Sequence, residues 1–288
     1  MGKNNIRTAL ILEGGALRGF FTMAVLDFFM EKRLSFNYIN GVSVGALCAA
    51  DFLSNQIKRT AKINLHFLHN KNYMGFRNFI RCGEIFNLDF LFSKNCLEYS
   101  PFNFSRFYKN STIFEITSTN LKSGRSTFFK KNNNKFWFSV IKASSSTPLL
   151  SRVKIINSVP YLDGSISSSI PFKRAMDLGY EKIILILTRD KNYRMPKNNL
   201  IITKLVKKVY KKYPNFIKTF LKHPINYNQD LKEINKLEKQ RKLFVIRPKK
   251  PVKVSRTEQN KNKLINLYNE GLEVAKDKFL PLKAYLNN

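Results

Sequence analysis

Short unbroken apolar runs alternate with longer stretches of helical periodicity along the first two thirds of the chain. Residues 9–12, 36–42 and 182–188 have the length of fully buried strands. The last, with Ile183-Ile184-Leu185-Ile186-Leu187 at its centre, reads as the central strand of a parallel sheet. Residues 20–33 place Phe21, Val25 and Phe28 on one helical face. Residues 46–53 start a second helix after the tight turn Gly41-Val42-Ser43-Val44-Gly45. Strand, glycine loop (residues 13–19), helix, strand, tight turn, helix is the rhythm of a parallel α/β sheet. Further on, residues 112–120 and 127–130 have strand character around a Ser123-Gly124 turn. Residues 137–144 read as a helix ending at Pro148, 154–162 as a strand pair or hairpin, and 173–178 as a helix ending at Gly179. Residues 58–110 are aromatic-rich and irregular, the pattern of a helical cap, and their phenylalanines read either as core or as the lining of an acyl-chain cleft.

After Arg189 the composition changes. Residues 189–263 carry 23 basic side chains against 5 acidic ones. Residues 200–213 and 230–240 read as basic amphipathic helices, 243–246 as a late strand and 261–279 as a final helix, with 189–199 as the linker. The predicted organisation is a core over residues 1–190 and a basic, mostly helical region over 191–288, packed on or completing it. Over the whole chain 51 Lys and Arg face 19 Asp and Glu, a net charge of +32. Such a field attracts polyanions. No helix-turn-helix, zinc-finger or RNP signature accompanies it, so no specific nucleic-acid partner is expected. Two readings of the basic helices stand side by side: solvated faces, or helices lying on an anionic membrane with Phe216, Ile217, Phe220 and Leu221 dipping inward.

The chemistry is concentrated in three places. Gly41-x-Ser43-x-Gly45 lies between a strand and a helix start, where an exposed nucleophilic serine needs flanking residues without side chains. Gly14-Gly15-Ala16-Leu17-Arg18-Gly19 follows the first strand. A loop there can turn backbone N–H groups toward a developing oxyanion, or it is a glycine turn kept for packing. It is not a G-x-G-x-x-G phosphate loop. Asp163-Gly164 ends the run Val159-Pro160-Tyr161-Leu162 and reads either as a base on a strand-end loop or as an ordinary Asp-Gly turn. His223 fits the Ser, Asp, His order of an α/β-hydrolase formally, but Ser43 comes after only one strand, which favours a Ser–Asp pair. His66-x-x-His69 lacks the glutamate of a zincin helix. The three cysteines, Cys48, Cys82 and Cys96, form no C-x-x-C, which argues against a zinc site or a disulfide framework and for a reducing compartment. Cys48 reads as reactive or, more simply, as a packed apolar residue. Neither a metal nor a cofactor is expected. The run at 9–12 is too short for a signal peptide, and Met1-Gly2 lacks the Ser or Thr at position six of a myristoylation signal. No run approaches the roughly 20 residues of a membrane span. The expected location is the cytoplasm, with peripheral contact at the inner membrane face.

The three motifs in this order resemble the patatin-like phospholipase family, in its bacterial branch. Residues 9–56 are similar to it almost throughout. So are Thr117-Ser-Thr-Asn-Leu-Lys-Ser-Gly124, Ala143-Ser-Ser-Ser-Thr-Pro148 and the stretch from Tyr161-Leu-Asp-Gly-Ser165 to Arg189. A looser likeness runs from Leu243 to Gly271. The resemblance implies a three-layer α/β/α fold with a mainly parallel sheet and a Ser–Asp dyad, Ser43 as nucleophile and Asp163 as base. It implies an oxyanion region at Gly14, Gly15, Ala16, Arg18 and Gly19, with Gly41, Gly45 and Gly164 supporting the motifs. Ser165 stands where the family usually has Gly or Ala. The implied substrate is a phospholipid, lysophospholipid or other acyl ester, cleaved through an acyl-enzyme. The alternative is a non-catalytic protein that binds anionic lipid surfaces on the same fold. No protein partner is implied.

Overall fold

The computed structural model describes residues 6–132 and 136–287; the Met1-Gly2 reading lies outside the described residues. The strands are β1 (Thr8–Leu12), β2 (Tyr38–Val42), β3 (Ile113–Asn120), β4 (Ser126–Lys130), β5 (Lys154–Ile156), β6 (Val159–Asp163), β7 (Lys182–Ile186) and β8 (Leu243–Ile246). The helices are α1 (Phe20–Glu31), α2 (Val44–Leu53), α3 (Arg59–His66), α4 (Phe76–Cys82), α5 (Lys94–Tyr99), α6 (Phe104–Lys109), α7 (Phe136–Ser144), α8 (Phe172–Asp177), α9 (Leu200–Val209), α10 (Pro214–Lys239) and α11 (Lys261–Asn287). One sheet runs in the order β5-β6-β3-β2-β1-β7-β8, with β4 also paired to β3. β3, β2, β1, β7 and β8 are mutually parallel, while β4, β5 and β6 add antiparallel pairs at one end.

Strand alternation divides the core into two layers. Leu10, Leu12, Ile39, Ile184 and Ile186 face α1, α2, α7 and α11, whereas Ala9, Ile11, Tyr38, Ile183 and Leu185 face α8 and α10. The result is a three-layer α/β/α fold with a mainly parallel sheet. Helix α1 is buried from Phe20 through Met30 because α11 covers the side that a surface helix would leave wet. Gly271 of α11 permits that approach: a Cβ there would lie 2.7 Å from Phe21 O. The C-terminal region thus contributes β8 to the sheet and α11 to the core.

Two helices outrun their predicted limits. The helix expected at 230–240 begins at Pro214, whose missing N–H is harmless at a first turn, and continues through Pro224. Burial of Phe216, Phe220, Tyr227, Leu231 and Ile234 at helical spacing sustains it despite that interior proline. The final helix likewise passes Pro281. The region at 58–110 is a cap of short helices, α3 to α6, above α2.

Candidate active site

β2 ends at Val42 and α2 begins at Val44, so Ser43 is the joint between strand and helix. Its backbone holds φ 55° and ψ −125°, which side-chain-bearing residues rarely adopt. A Cβ on Gly41 would lie 2.6 Å from Ala46 Cα, and one on Gly45 would lie 2.5 Å from Leu12 O. Only glycine closes this turn. Ser43 is thereby held at the positive end of α2, whose first amides have no intrahelical acceptor.

The glycine loop runs beside it. A Cβ on Gly14 would lie 3.1 Å from Ser43 Cβ, one on Gly15 2.8 Å from Thr188 Oγ1, and one on Gly19 2.7 Å from Val44 Cγ2. Among the described residues, the N–H groups of Gly14 and Gly15 donate to no protein acceptor. A free amide at Gly14 therefore adjoins the candidate nucleophile, and that of Gly15 follows it in the loop, beside Thr188. Ala16, at φ 49°, lines the cleft next to Ser43. Arg18 is buried and its Nε has no partner; burial brings its pKa down to about 10, and Arg189 and Arg256 push the same way. Glu13 fastens the loop. Its carboxylate accepts from Thr188 N–H at 2.6 Å and from Tyr227 Oη at 2.6 Å. Tyr227 belongs to α10, so the C-terminal region holds the loop in place.

Asp163 closes β6 and is buried. Its N–H donates to Ser146 O at 2.9 Å, and its Oδ1 accepts from Ser165 N–H at 2.9 Å. Burial pushes its pKa up, while hydrogen bonds from Ser165 and Thr147 and the charge of Arg256 oppose that rise. The serine that replaces the usual Gly or Ala thus adds a hydroxyl contact to the Asp163 carboxylate. Gly164 packs so tightly on Thr117 O that no Cβ fits.

β3 brings the two candidates together. Val42 is in register with Thr117, and Asp163 with Ser118. Ser43 N–H donates to Ser144 Oγ at 2.8 Å, and that hydroxyl donates to Thr117 O at 2.6 Å. The segment from Ser144 to Thr147 therefore grips Ser43 at one end and Asp163 at the other. Among the described residues, no hydrogen bond joins the Ser43 hydroxyl directly to the Asp163 carboxylate. In the sequence this serine block carries a family resemblance and no role of its own; the gripping contacts appear only in the fold.

Ser43 lines a narrow cleft of about 70 Å³ that is open to solvent. Leu47 and Tyr73, Phe86 and Leu150 form apolar walls, and Arg256 stands at the mouth. The cap thus supplies both core and cleft: Phe102 and Phe107 are core, Tyr73 and Phe86 are lining. The histidines are engaged elsewhere. His223, lowered to about 4 by burial and by Arg256, pairs with Ser169 Oγ at 3.0 Å. His66 stacks on Tyr99, and His69 meets Gln259. Burial raises the Cys48 thiol well above its ordinary pKa, which suits a packed residue.

A strained serine between a parallel strand and a helix, faced by a glycine loop, defines a class of α/β proteins built around a nucleophile elbow. The chain belongs to the patatin-like phospholipase family, whose model matches residues 10–176. A second model, a domain of unknown function (DUF6363), matches residues 213–287. The uncharacterized protein YjjU of Escherichia coli K12 is 29% identical over 187 residues, covering 63% of this chain and 52% of that protein. The chain thus spans about half the length of the curated relative it matches. VipD from Legionella pneumophila aligns over 94% of this chain and 67% of its own, at 11% identity and a TM-score of 0.42. Among the described residues, no helix is long and apolar enough to cross a membrane.

Proposed function

We propose that this protein is a serine acyl hydrolase that cleaves lipid acyl esters with Ser43 as nucleophile and Asp163 as general base. The observation that carries the reading is that β3 brings a strained serine and a buried carboxylate together at Thr117 and Ser118, with the Gly14 loop packed against that serine. Asp163 takes the Ser43 proton as Ser43 Oγ attacks the ester carbonyl carbon. The Gly14 and Gly15 amides meet the oxyanion, a contribution worth about 100- to 1,000-fold per donor. The intermediate collapses, and the departing alcohol leaves with the proton held by Asp163. Water then attacks the acyl-enzyme, releasing the fatty acid and restoring Ser43. The apolar walls suit an acyl chain, and Arg256 at the mouth suits an anionic head group, so phospholipid and lysophospholipid are favoured over neutral esters.

The test uses p-nitrophenyl esters of graded chain length and a fluorophosphonate label on wild type, Ser43→Ala and Asp163→Asn. Wild type turns over and is labelled; both variants lose turnover, and Ser43→Ala loses the label. Full activity in Ser43→Ala removes Ser43 from its role. A wild type that neither labels nor turns over, even with anionic vesicles, leaves the non-catalytic lipid-binding reading in its place.

A further inference from the structure

The apolar face of α10 is not free. Phe216 and Phe220 are buried with Val206, Tyr210, Leu121 and Leu162, and Ile217 and Leu221 pack beside them. The expectation that these four residues dip into a membrane is therefore corrected: the fold covers them. The uncovered apolar face lies one helix earlier. On α9, Ile201, Leu205 and Val209 are 69%, 45% and 58% exposed, and Leu200 at the N-terminal end is 78% exposed. Spaced by four residues, the first three form one stripe along the helix. Lys204 and Lys208 form the neighbouring stripe, with Lys207 beyond, while Val206 and Tyr210 point into the core. Among the described residues none of these lysines is ion-paired, and residues 191–229 contain ten basic side chains and no acidic one.

We propose that α9 is an interfacial anchor that seats this protein on an anionic lipid bilayer. Charge complementarity selects the occupant. A nucleic acid would use the lysines and leave the apolar stripe in water, whereas a helix with both faces lies in the headgroup region with its apolar stripe below and its lysines on the phosphates. The anchor is tied to the cleft. Leu149 N–H donates to Tyr210 Oη at 3.0 Å, directly after α9, and the adjoining Leu150, exposed, lines the cleft with Thr147 and Ser151. A bilayer under α9 therefore meets the rim through which an acyl chain enters. That orientation rests on the hydrolase reading; the docking itself does not.

The experiment is co-sedimentation of the full chain, carrying Ser43→Ala so that catalysis plays no part, with vesicles of phosphatidylcholine alone or mixed with phosphatidylglycerol. Two further chains carry Ile201→Ser/Leu205→Ser/Val209→Ser or Lys204→Gln/Lys207→Gln/Lys208→Gln; all six positions are exposed, and thermal melts check the fold. Anionic vesicles are expected to capture the parent, and each triple variant to bind them about tenfold more weakly or worse. If the serine variant binds as well as the parent, α9 only attracts polyanions and the anchor is overturned. It is overturned equally if neither variant weakens binding, or if the parent ignores anionic vesicles. With Ser43 intact, a soluble short-chain ester reports separately: its turnover stays unchanged in the serine variant, while vesicle-embedded phospholipid is cleaved more slowly. Vesicle binding without any ester turnover would sink the hydrolase reading and leave the anchor standing.

Discussion

The joint around Ser43 and the helices after residue 200 are built on opposite principles. At the joint, backbone meets backbone: Gly45 against Leu12 O, Gly41 against Ala46, Gly164 against Thr117 O. Each position admits one residue type, so a short motif carries the geometry. In α9, α10 and α11 position is set mainly by which apolar stripe finds a covering neighbour, with Gly271, pressed on Phe21 O, as a close backbone approach. Motifs therefore mark where chemistry can occur, while burial alone decides which surface stays available. The two regions meet at Tyr227, which bonds Glu13 beneath the glycine loop, and at Arg256, whose charge reaches Asp163.

The sharpest test of the joint is Asp163→Asn. We expect kcat/KM to fall roughly 10⁴-fold, the scale seen when a hydrolase loses its proton acceptor or the group that orients it. Stability should move the other way. Burial holds the folded pKa of Asp163 above its unfolded value, so the native state binds the proton more tightly. Its contribution to stability is present below the unfolded pKa and is lost as pH rises through the folded one. Asparagine has nothing to lose, so the variant's melting temperature gains on wild type between acid and neutral pH. A variant that melts lower at neutral pH would show that the carboxylate is needed for the fold.

Two glycines sharpen the comparison next. Gly14→Ala presses a methyl on Ser43 Cβ and Val42 O. It should cost about 100- to 1,000-fold in kcat with little change in melting, by disturbing donors aimed at the oxyanion. Gly271→Ala presses on Phe21 O between α1 and α11, far from any chemistry. It should cost about 1–3 kcal/mol in a denaturant titration, leaving the rate per folded molecule unchanged. Should Gly14→Ala unfold the protein instead, the loop is structural before it is catalytic. Tyr227→Phe lies on the boundary between the two regions. It withdraws one donor from a buried Glu13 whose pKa is already raised by burial, an effect of about 1–3 kcal/mol that denaturant titration reads. A loss of kcat beyond the loss of folded protein would show that α10 also sets the loop's shape.

These differences follow what the chain can disclose before folding. The parallel strands and the Gly-x-Ser-x-Gly joint are legible because an apolar run or a glycine has few meanings there. The roles of Ser144, Ser146 and Thr147 are not legible, since serines that position others carry no periodicity and their partners Ser43 and Asp163 lie distant in sequence or on another strand. The helix from Pro214 is legible only from 230, because Pro224 masks a burial pattern that tertiary packing restores. The stripe at 216–221 leaves a membrane-facing reading open beside the solvated one for a related reason. Helical spacing reveals that a stripe exists, and only the neighbours of α10 reveal that it is already covered.

Arg256 offers the smallest effect and the finest discrimination. It sits on the loop between β8 and α11, is exposed at the cleft mouth, and its positive charge favours the ionised form of Asp163. As a general base Asp163 works only when ionised, so the rate should fall as pH drops through its raised pKa. Removing the charge in Arg256→Ala lets burial act with less opposition, so the acid limb of the kcat/KM profile moves to higher pH. Arg256→Lys should leave the limb near its wild-type position. Well above the limb the change on a neutral soluble ester should stay under about tenfold, the factor that one pKa unit represents. An anionic phospholipid should lose more than a neutral ester with Arg256→Ala, because the same guanidinium would also meet the head group. A limb that stays still, together with equal losses on both substrates, would confine Arg256 to packing and leave Asp163 tuned by burial and by Ser165 and Thr147.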